Sequence, residues 1–218
     1  MIAKMKIAVF GAGGMIGQRI VNEALARGHE VTAVVRDPAK FTPVSADVKV
    51  VKGDVLDSDS VAAAVAGQDV VVSSVGPAHD GSSTPRLLVN SAHTLIVGLK
   101  QAGVSRLLIV GGAGSLEVAP GLKLFDTPDF PEAWRPMAKE HGEGLEVYRA
   151  STDLDWTFIS PAIMIAPGER TGNYQQGFDQ LLMDAQGESK ISCEDYAVAL
   201  LDEVEQGQFK RRRITVTN

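Results

Sequence analysis

Apolar residues recur with two alternating periods along the first half of the chain. Lys6 to Phe10 is a short, nearly continuous apolar run of the kind shown by a strand buried on both faces. From Gly14 to Arg27 the spacing changes: Ile16, Ile20, Val21, Ala24 and Leu25 share one face of a helix, and Gly28 suits its C-terminal stop. Glu30 to Val35 predicts a second strand and Val48 to Val51 a third. Asp57 is placed to cap a small helix through Val65 that Gly67 ends, and Asp69 to Ser73 predicts a fourth strand. A long helix from about Thr84 to Ala102 stops at Gly103, ahead of a fifth strand from Arg106 to Val110. Strands that alternate with helices need crossover connections, so the expected fold class is α/β, a doubly wound and mostly parallel sheet flanked by helices.

The second half is less regular. Gly111 to Pro131 shows no clear period and reads as a substrate-side loop. A helix is expected from about Glu132 to Ser151, weakened by Pro136, Gly142 and Gly144, and Trp156 to Ile159 predicts a sixth strand ending at Pro161. Ala162 to Gln176 reads as loop with one short strand. Ser192, three residues ahead of Asp195, has the spacing of a capping box for a helix to about Val204, and Arg213 to Thr217 predicts a terminal strand. With no internal repeat or low-complexity tract, one domain over residues 1–218 is expected, with 111–131 and 161–191 forming its substrate side.

Composition narrows the function classes. The 218 residues are 44% apolar and 22% charged, enough to bury a full core. Lys and Arg number 21 against 27 Asp and Glu, and a net charge of -6 argues against general affinity for nucleic acid or an anionic membrane. The single cysteine, Cys193, can form neither an internal disulfide nor a thiolate metal cluster, which fits a reducing compartment. Met1 to Lys6 leads directly into the first strand without the apolar region of a signal peptide, and no run approaches membrane-spanning length, so a cytoplasmic location is expected. The histidines lack metal-ligand spacing, and no metal site is expected.

The most informative stretch is Gly11-Ala12-Gly13-Gly14-Met15-Ile16-Gly17, between the first strand and the first helix. Glycines there let the backbone turn sharply and approach a pyrophosphate, while free N–H groups and the helix dipole favour its charge. Gly11, Gly14 and Gly17 give G-x-x-G-x-x-G rather than the commoner G-x-G-x-x-G. Past the second strand stands Val35-Arg36-Asp37-Pro38. Arg36 suits a charge-assisted pair with a 2′-phosphate, whereas Asp37 before Pro38 suits a turn or cap, so NADP(H) is expected in preference to NAD(H).

These residues resemble the atypical short-chain dehydrogenase/reductase superfamily, particularly its small NAD(P)H-binding, NADH-flavin reductase-like members. Besides the glycine turn, the resemblance rests on Lys52-Gly53-Asp54-Val55, Val72 to Gly76, Asp155 to Pro161, Pro167 to Gly172 and Ile191 to Ala197. It implies a Rossmann-type core with a small C-terminal substrate region. Asp54 and Val55 would lie by the adenine, Ser74, Val75 and Gly76 along the cofactor, and Pro161 and Ala162 near the nicotinamide. Many members use Tyr-x-x-x-Lys, in which the lysine tunes the tyrosine as proton donor. Here Tyr148, Tyr174 and Tyr196 are followed four residues later by Thr152, Phe178 and Leu200, so the motif is absent.

Reducing a ketone develops alkoxide charge that needs a positioned acid, whereas a flavin accepts hydride into a delocalised ring and can take its proton from solvent. The expectation is therefore a reductase whose small-molecule acceptor is a flavin, a quinone or a similar ring. A non-catalytic NADP(H) sensor and a sugar-nucleotide epimerase or dehydratase stand as alternatives, and oligomeric state is open. Candidate catalytic residues are Ser115, after the fifth strand; His141, on the imperfect helix; and Tyr148, which could also stack on a planar ring or belong to the core. His79 is a further possible proton donor, His29 a turn residue and His93 a helix residue.

Overall fold

The computed structural model describes residues 3–76 and 84–218; His79 lies outside the described residues. The alternating apolar runs become strands β1 (Lys6–Phe10), β2 (Glu30–Val35), β3 (Lys49–Lys52), β4 (Val70–Ser73) and β5 (Arg106–Val110). Between them run helices α1 (Met15–Ala26), α2 (Ser58–Val65) and α3 (Leu87–Ala102). Their ends follow local chemistry. Asp57 accepts hydrogen bonds from the Asp59 and Ser60 N–H groups at the start of α2, and Gly103 closes α3 at φ 71°. Helix α3 starts later than its apolar spacing predicts because Arg86, its N-cap, takes a left-handed conformation at φ 55°.

Beyond β5 come a small antiparallel pair, β6 (Glu117–Ala119) and β7 (Leu122–Lys123), then α4 (Arg135–Ala150) and β8 (Asp155–Ser160). Short strands β9 (Met164–Ala166), β10 (Gln175–Gly177) and β11 (Lys190–Ser192) lead to α5 (Cys193–Gln206) and β12 (Arg212–Thr217). The main sheet has the order β10-β12-β8-β5-β4-β1-β2-β3. All its pairs are parallel except β10 with β12.

Both faces of this sheet are buried. Ile7 and Val9 of β1 join Ile20, Val21 and Ala24 of α1 and Tyr196, Ala197 and Leu200 of α5 on one side. Ala8 and Phe10 point the other way, into a core completed by Val61, Leu95, Leu99, Leu145 and Tyr148 of α2, α3 and α4. This two-sided burial explains why the strands read as unbroken apolar runs.

Two expectations need correction. The Gly111–Pro131 segment is folded: β6 and β7 turn around Gly121 at φ 75°, Leu124–Asp126 forms a 3-10 turn, and Leu116 and Phe125 are buried beneath it. Its two buried apolar side chains are too few to make a visible period. Between Ala162 and Gln176, where one short strand was expected, the chain forms β9 and enters β10, and β9 pairs parallel with the later β11.

Candidate functional site

The parallel register brings the carboxyl ends of β1, β2, β3, β4, β5 and β8 to one edge of the sheet. At β1 the strand order reverses, because β2 and β3 lie to one side and β4 and β5 to the other. A crevice at such a switch point is where ligands gather in this architecture. The glycine turn sits there. Gly11 takes φ 75°, and a Cβ on it would lie 2.2 Å from the Ser74 carbonyl oxygen. A Cβ on Gly17 would lie 2.0 Å from the Gly11 carbonyl oxygen, whereas one on Gly13 would meet only the Phe41 ring, at 3.4 Å, and one on Gly14 would be tight against Gly11 O at 3.3 Å. Gly14 caps α1 without any side-chain bond, and the first turn holds no acidic residue. The leading N–H groups of α1 therefore meet neither a capping side chain nor a local negative charge, as an anion cradle requires.

Around this turn the strand ends bring the other candidates together. Gly13, Gly14 and Met15 are exposed, Gly11 and Ile16 half-buried and Gly17 buried. Arg36 is exposed just past β2 and makes no ion pair among the described residues. Asp54 shapes the β3 loop, its carboxylate accepting the Leu56 N–H at 2.9 Å. Val55 is buried, and its carbonyl accepts the Thr94 hydroxyl. Ser74, Val75 and Gly76 follow β4 in increasingly open positions, and Pro161 and Ala162 are buried beyond β8. Phe41, which the sequence reading missed, lays its ring beside Gly13. Its only signal was an apolar residue soon after the second strand.

The three catalytic candidates separate. Ser115 is 3% exposed, and Arg213 Nη1 donates to its Oγ at 2.9 Å and to its carbonyl at 3.0 Å. It ties the folded segment to β12 beneath the surface. His141 and Tyr148 both lie on α4 and line one chamber of about 10 Å³. Burial pushes the His141 pKa down to about 4, so the imidazole is neutral at neutral pH, and burial raises the Tyr148 hydroxyl. His29 directly follows the Arg27–Gly28 turn and is a buried tie: its Nδ1 accepts the Met5 N–H at 3.2 Å, and its Nε2 lies 3.0 Å from Glu205. His93 belongs to α3 as expected.

A larger depression of about 540 Å³ lies at the opposite, amino-terminal edge of the strands, bordered by Lys4, Asp69, Arg106, Asp155, Glu205 and Lys210. Those charges already hold one another or neighbouring groups, as Lys210 with Asp155 at 2.8 Å, and the glycine turn is far from that edge. No helix of the described residues is long and apolar enough to cross a membrane, and none of their side chains cluster as a metal site.

The Pro167–Gly172 segment straps the region after β8 onto α1 and α5. Glu194 accepts the Gly168 N–H at 2.8 Å, and Arg170 makes a two-point pair with Glu23 at 2.7 and 2.8 Å. Asp195 accepts from the Thr171 hydroxyl at 2.6 Å and the Gly172 N–H at 2.8 Å. The Arg170 bond holds Glu23 below the usual carboxylate range. For Glu194 and Asp195, burial pushes upward but the combined hydrogen bonds outweigh it and leave both lowered. Groups lowered in the folded state add stability above their unfolded values, 4.5 and 3.8, and lose it as pH falls through the folded ones. Thermal melts are therefore expected to be flat down to roughly pH 5 and to fall steeply below about pH 4, with a shallower fall in Asp195→Asn. Superimposable acid limbs for the two proteins would contradict the strap's contribution.

A family model described as NAD(P)H-binding matches residues 11–206. Among solved structures, a protein from Burkholderia pseudomallei is 49% identical with a TM-score of 0.89, covering 98% of this chain and 100% of its own. One from Bacteroides thetaiotaomicron is 42% identical with a TM-score of 0.88, covering 99% and 97%. One from Streptococcus pneumoniae is 38% identical with a TM-score of 0.84, covering 98% and 99%. They carry the putative names exported protein, epimerase and NADH-flavin reductase, in that order. With its glycine cradle at the switch point of a Rossmann-type sheet, the chain belongs to the family described as NAD(P)H-binding.

Proposed function

We propose that this protein is an NADPH-preferring reductase that passes hydride to a planar conjugated acceptor of the flavin or quinone class. The observation that carries the cofactor half is the uncapped start of α1 behind glycines whose side-chain space is filled by backbone. That cradle fits a dinucleotide: Gly11 to Gly17 would hold the pyrophosphate, Asp54 and Val55 would border the adenine, Ser74 to Gly76 the middle of the molecule, and Pro161 and Ala162 the nicotinamide. When bound, the dinucleotide supplies the hydride, and the protein's part is to orient it and exclude water.

Support for NADPH comes from Arg36, an exposed cation just past β2 where a 2′-phosphate would lie. Arg36→Asp is expected to weaken NADPH binding about 10–100-fold while leaving NADH within about threefold, a difference of the size one charge-assisted pair supplies. Equal losses in parallel titrations would reject the assignment.

The acceptor class rests on α4, the helix after β5, which carries no Tyr-x-x-x-Lys. An acceptor that delocalises the incoming charge tolerates that loss better than a ketone or sugar does. The deciding assay follows NADPH and NADH oxidation with FMN, FAD, riboflavin and a quinone. Turnover preferring NADPH supports the reading. Tight binding with no oxidation by any acceptor would replace it with a cofactor sensor.

A further inference from the structure

We propose that Trp134 and Met137, at the start of α4, and Met164, beyond β8, wall a slot that takes the acceptor as an uncharged planar ring, a quinone rather than a flavin carrying phosphate. The inference deepens the reductase reading above and rests on it for the ligand's part as hydride acceptor.

Helix α4 lays one stripe against the sheet. Trp134, Ala138, His141, Leu145 and Tyr148 follow one another at spacings of four, three, four and three, which keeps them on one helix face. Ala138, Leu145 and Tyr148 are buried. The stripe meets the continuation of β5 at two glycines: a Cβ on Gly112 would lie 3.0 Å from His141 Cγ, and one on Gly114 would lie 2.6 Å from Ala138 Cβ. Trp134 stands one turn further on, about 6 Å beyond Ala138 along the helix axis, where β5 has already ended. It is 52% exposed, and Met137 beside it is exposed as well. The stripe that packs the core thus carries an indole and a thioether past the core, to the edge of the sheet where ligands gather.

The facing wall comes from the neighbouring strand. Strand β8 pairs with β5, and Ser160 at its end donates its hydroxyl to Gly112 O at 2.9 Å, so the two strand ends are tied together. The chain then runs through Pro161 and Ala162, the stretch proposed for the nicotinamide, into β9. There Ile165 packs against the core layer of α1 and α5, so Met164, its neighbour on the strand, points away from that layer, and it is 60% exposed. The Met164 N–H donates to Ser189 O at 3.0 Å, which fixes the backbone and leaves the thioether free. Methionine shapes itself to a ring through a flexible chain and a polarisable sulfur, and tryptophan offers a ring its flat face.

Charge selects among rings. Arg135, next to Trp134, is taken up by Glu132 at 2.8 Å and by the carbonyls of Phe125 and Phe130. Lys139 lies about 140° around the helix from Trp134, off the stripe. The turn that Arg135 holds leaves Asp126 and Asp129 exposed. A phosphate brought to this end of α4 would meet Asp126, Asp129 and Glu132 against Arg135 and Lys139, and Pro136 withholds one of the helix N–H groups that could offset the excess. An uncharged ring avoids that repulsion.

The chain supplies its own reporter, because it has two tryptophans and Trp156 is only 2% exposed. In the NADP+ complex, a naphthoquinone is expected to quench the exposed part of the tryptophan emission, and Trp134→Leu to abolish that quenching. In turnover with NADPH, Trp134→Leu and Met164→Glu should each raise the KM for the naphthoquinone about 10-fold with kcat within about threefold, the pattern of lost uniform binding. Trp134→Phe keeps a ring and should stay within about threefold of wild type in KM. NADPH affinity should stay within about twofold in all three variants, since none of them touches the glycine turn. The wild type should use riboflavin with a kcat/KM at least about 10-fold above that for FMN, the two differing by the phosphate. An unchanged naphthoquinone KM in Trp134→Leu, or FMN used as well as riboflavin, overturns the slot while the reductase reading stands. Quenching confined to Trp134 in a protein that oxidises NADPH with no acceptor keeps the ring site and removes the reductase reading.

Discussion

Gly17→Ala is expected to abolish NADPH binding in the micromolar range, with affinity lower by at least about 100-fold, or roughly 2.7 kcal/mol. The new Cβ would lie 2.0 Å from Gly11 O, 2.9 Å from Gly11 C and 3.1 Å from Ala12 Cα, all backbone atoms. No side chain can swing away to relieve that overlap, so the turn itself must open and its N–H groups move off the anion. Gly11→Ala should act similarly, because φ 75° adds strain to a 2.2 Å approach to Ser74 O. Gly13→Ala, with only the Phe41 ring at 3.4 Å, should bind NADPH within about threefold of wild type. Gly28→Ala is the control for backbone strain alone. It sits at φ 83° with nothing nearby, so it should lower stability by about 1 kcal/mol without touching affinity. A fluorescence titration of the four variants decides the matter, and Gly17→Ala binding as tightly as Gly13→Ala would remove the cradle.

The second large effect lies at the opposite edge of the sheet. Glu203→Leu is expected to cost about 3–5 kcal/mol of stability, because it strands a buried charge. Arg106 is 8% exposed and Glu203 4%, and Arg106 Nη2 donates to Glu203 Oε1 at 2.5 Å. Glu203 also accepts the Phe209 N–H at 2.9 Å and the Gln208 N–H at 3.1 Å, holding the turn from α5 into β12. Burial already draws the Arg106 pKa down against the pull of Glu203 and Asp155, so removing Glu203 takes away the stronger of the two charges that oppose it. For a chain of this size the loss corresponds to a Tm drop of roughly 6–20 °C. Pairing it with Arg106→Met removes the stranded charge and should restore most of the loss. Denaturant melts of both proteins check this, and a single variant no less stable than the exposed Glu146→Leu would refute it. Cofactor affinity should stay unchanged in each folded variant, since the pair lies at the edge away from the glycine turn.

Where sequence and structure agree, the determinants are local. Strands β1, β2 and β5 and the end of α2 at Val65 fall where the apolar runs place them. Asp57 and Ser192 cap the helices they precede, Ser192 accepting the Asp195 N–H at 2.9 Å. Helix α4 survives the glycines expected to weaken it because tertiary contacts override propensity there: Gly142 lies against Ser115 and Phe125, and Gly144 against Leu88. Glu132–Trp134, expected at the start of this helix, is a separate 3-10 turn that precedes it.

The sequence by itself determined the α/β architecture, the single-turn glycine cradle and the basic residue beyond β2, because burial on two faces, capping and steric freedom act over a few neighbouring residues. Only the tertiary structure decided which polar groups meet. Arg170 finds Glu23 across 147 residues, Arg106 finds Glu203 across 97, and Arg213 takes up Ser115 across 98. The chamber shared by His141 and Tyr148 likewise exists only once α4 is laid over the ends of β4 and β5. Such meetings depend on strand order and helix docking, which leave no periodic trace in either partner's neighbourhood.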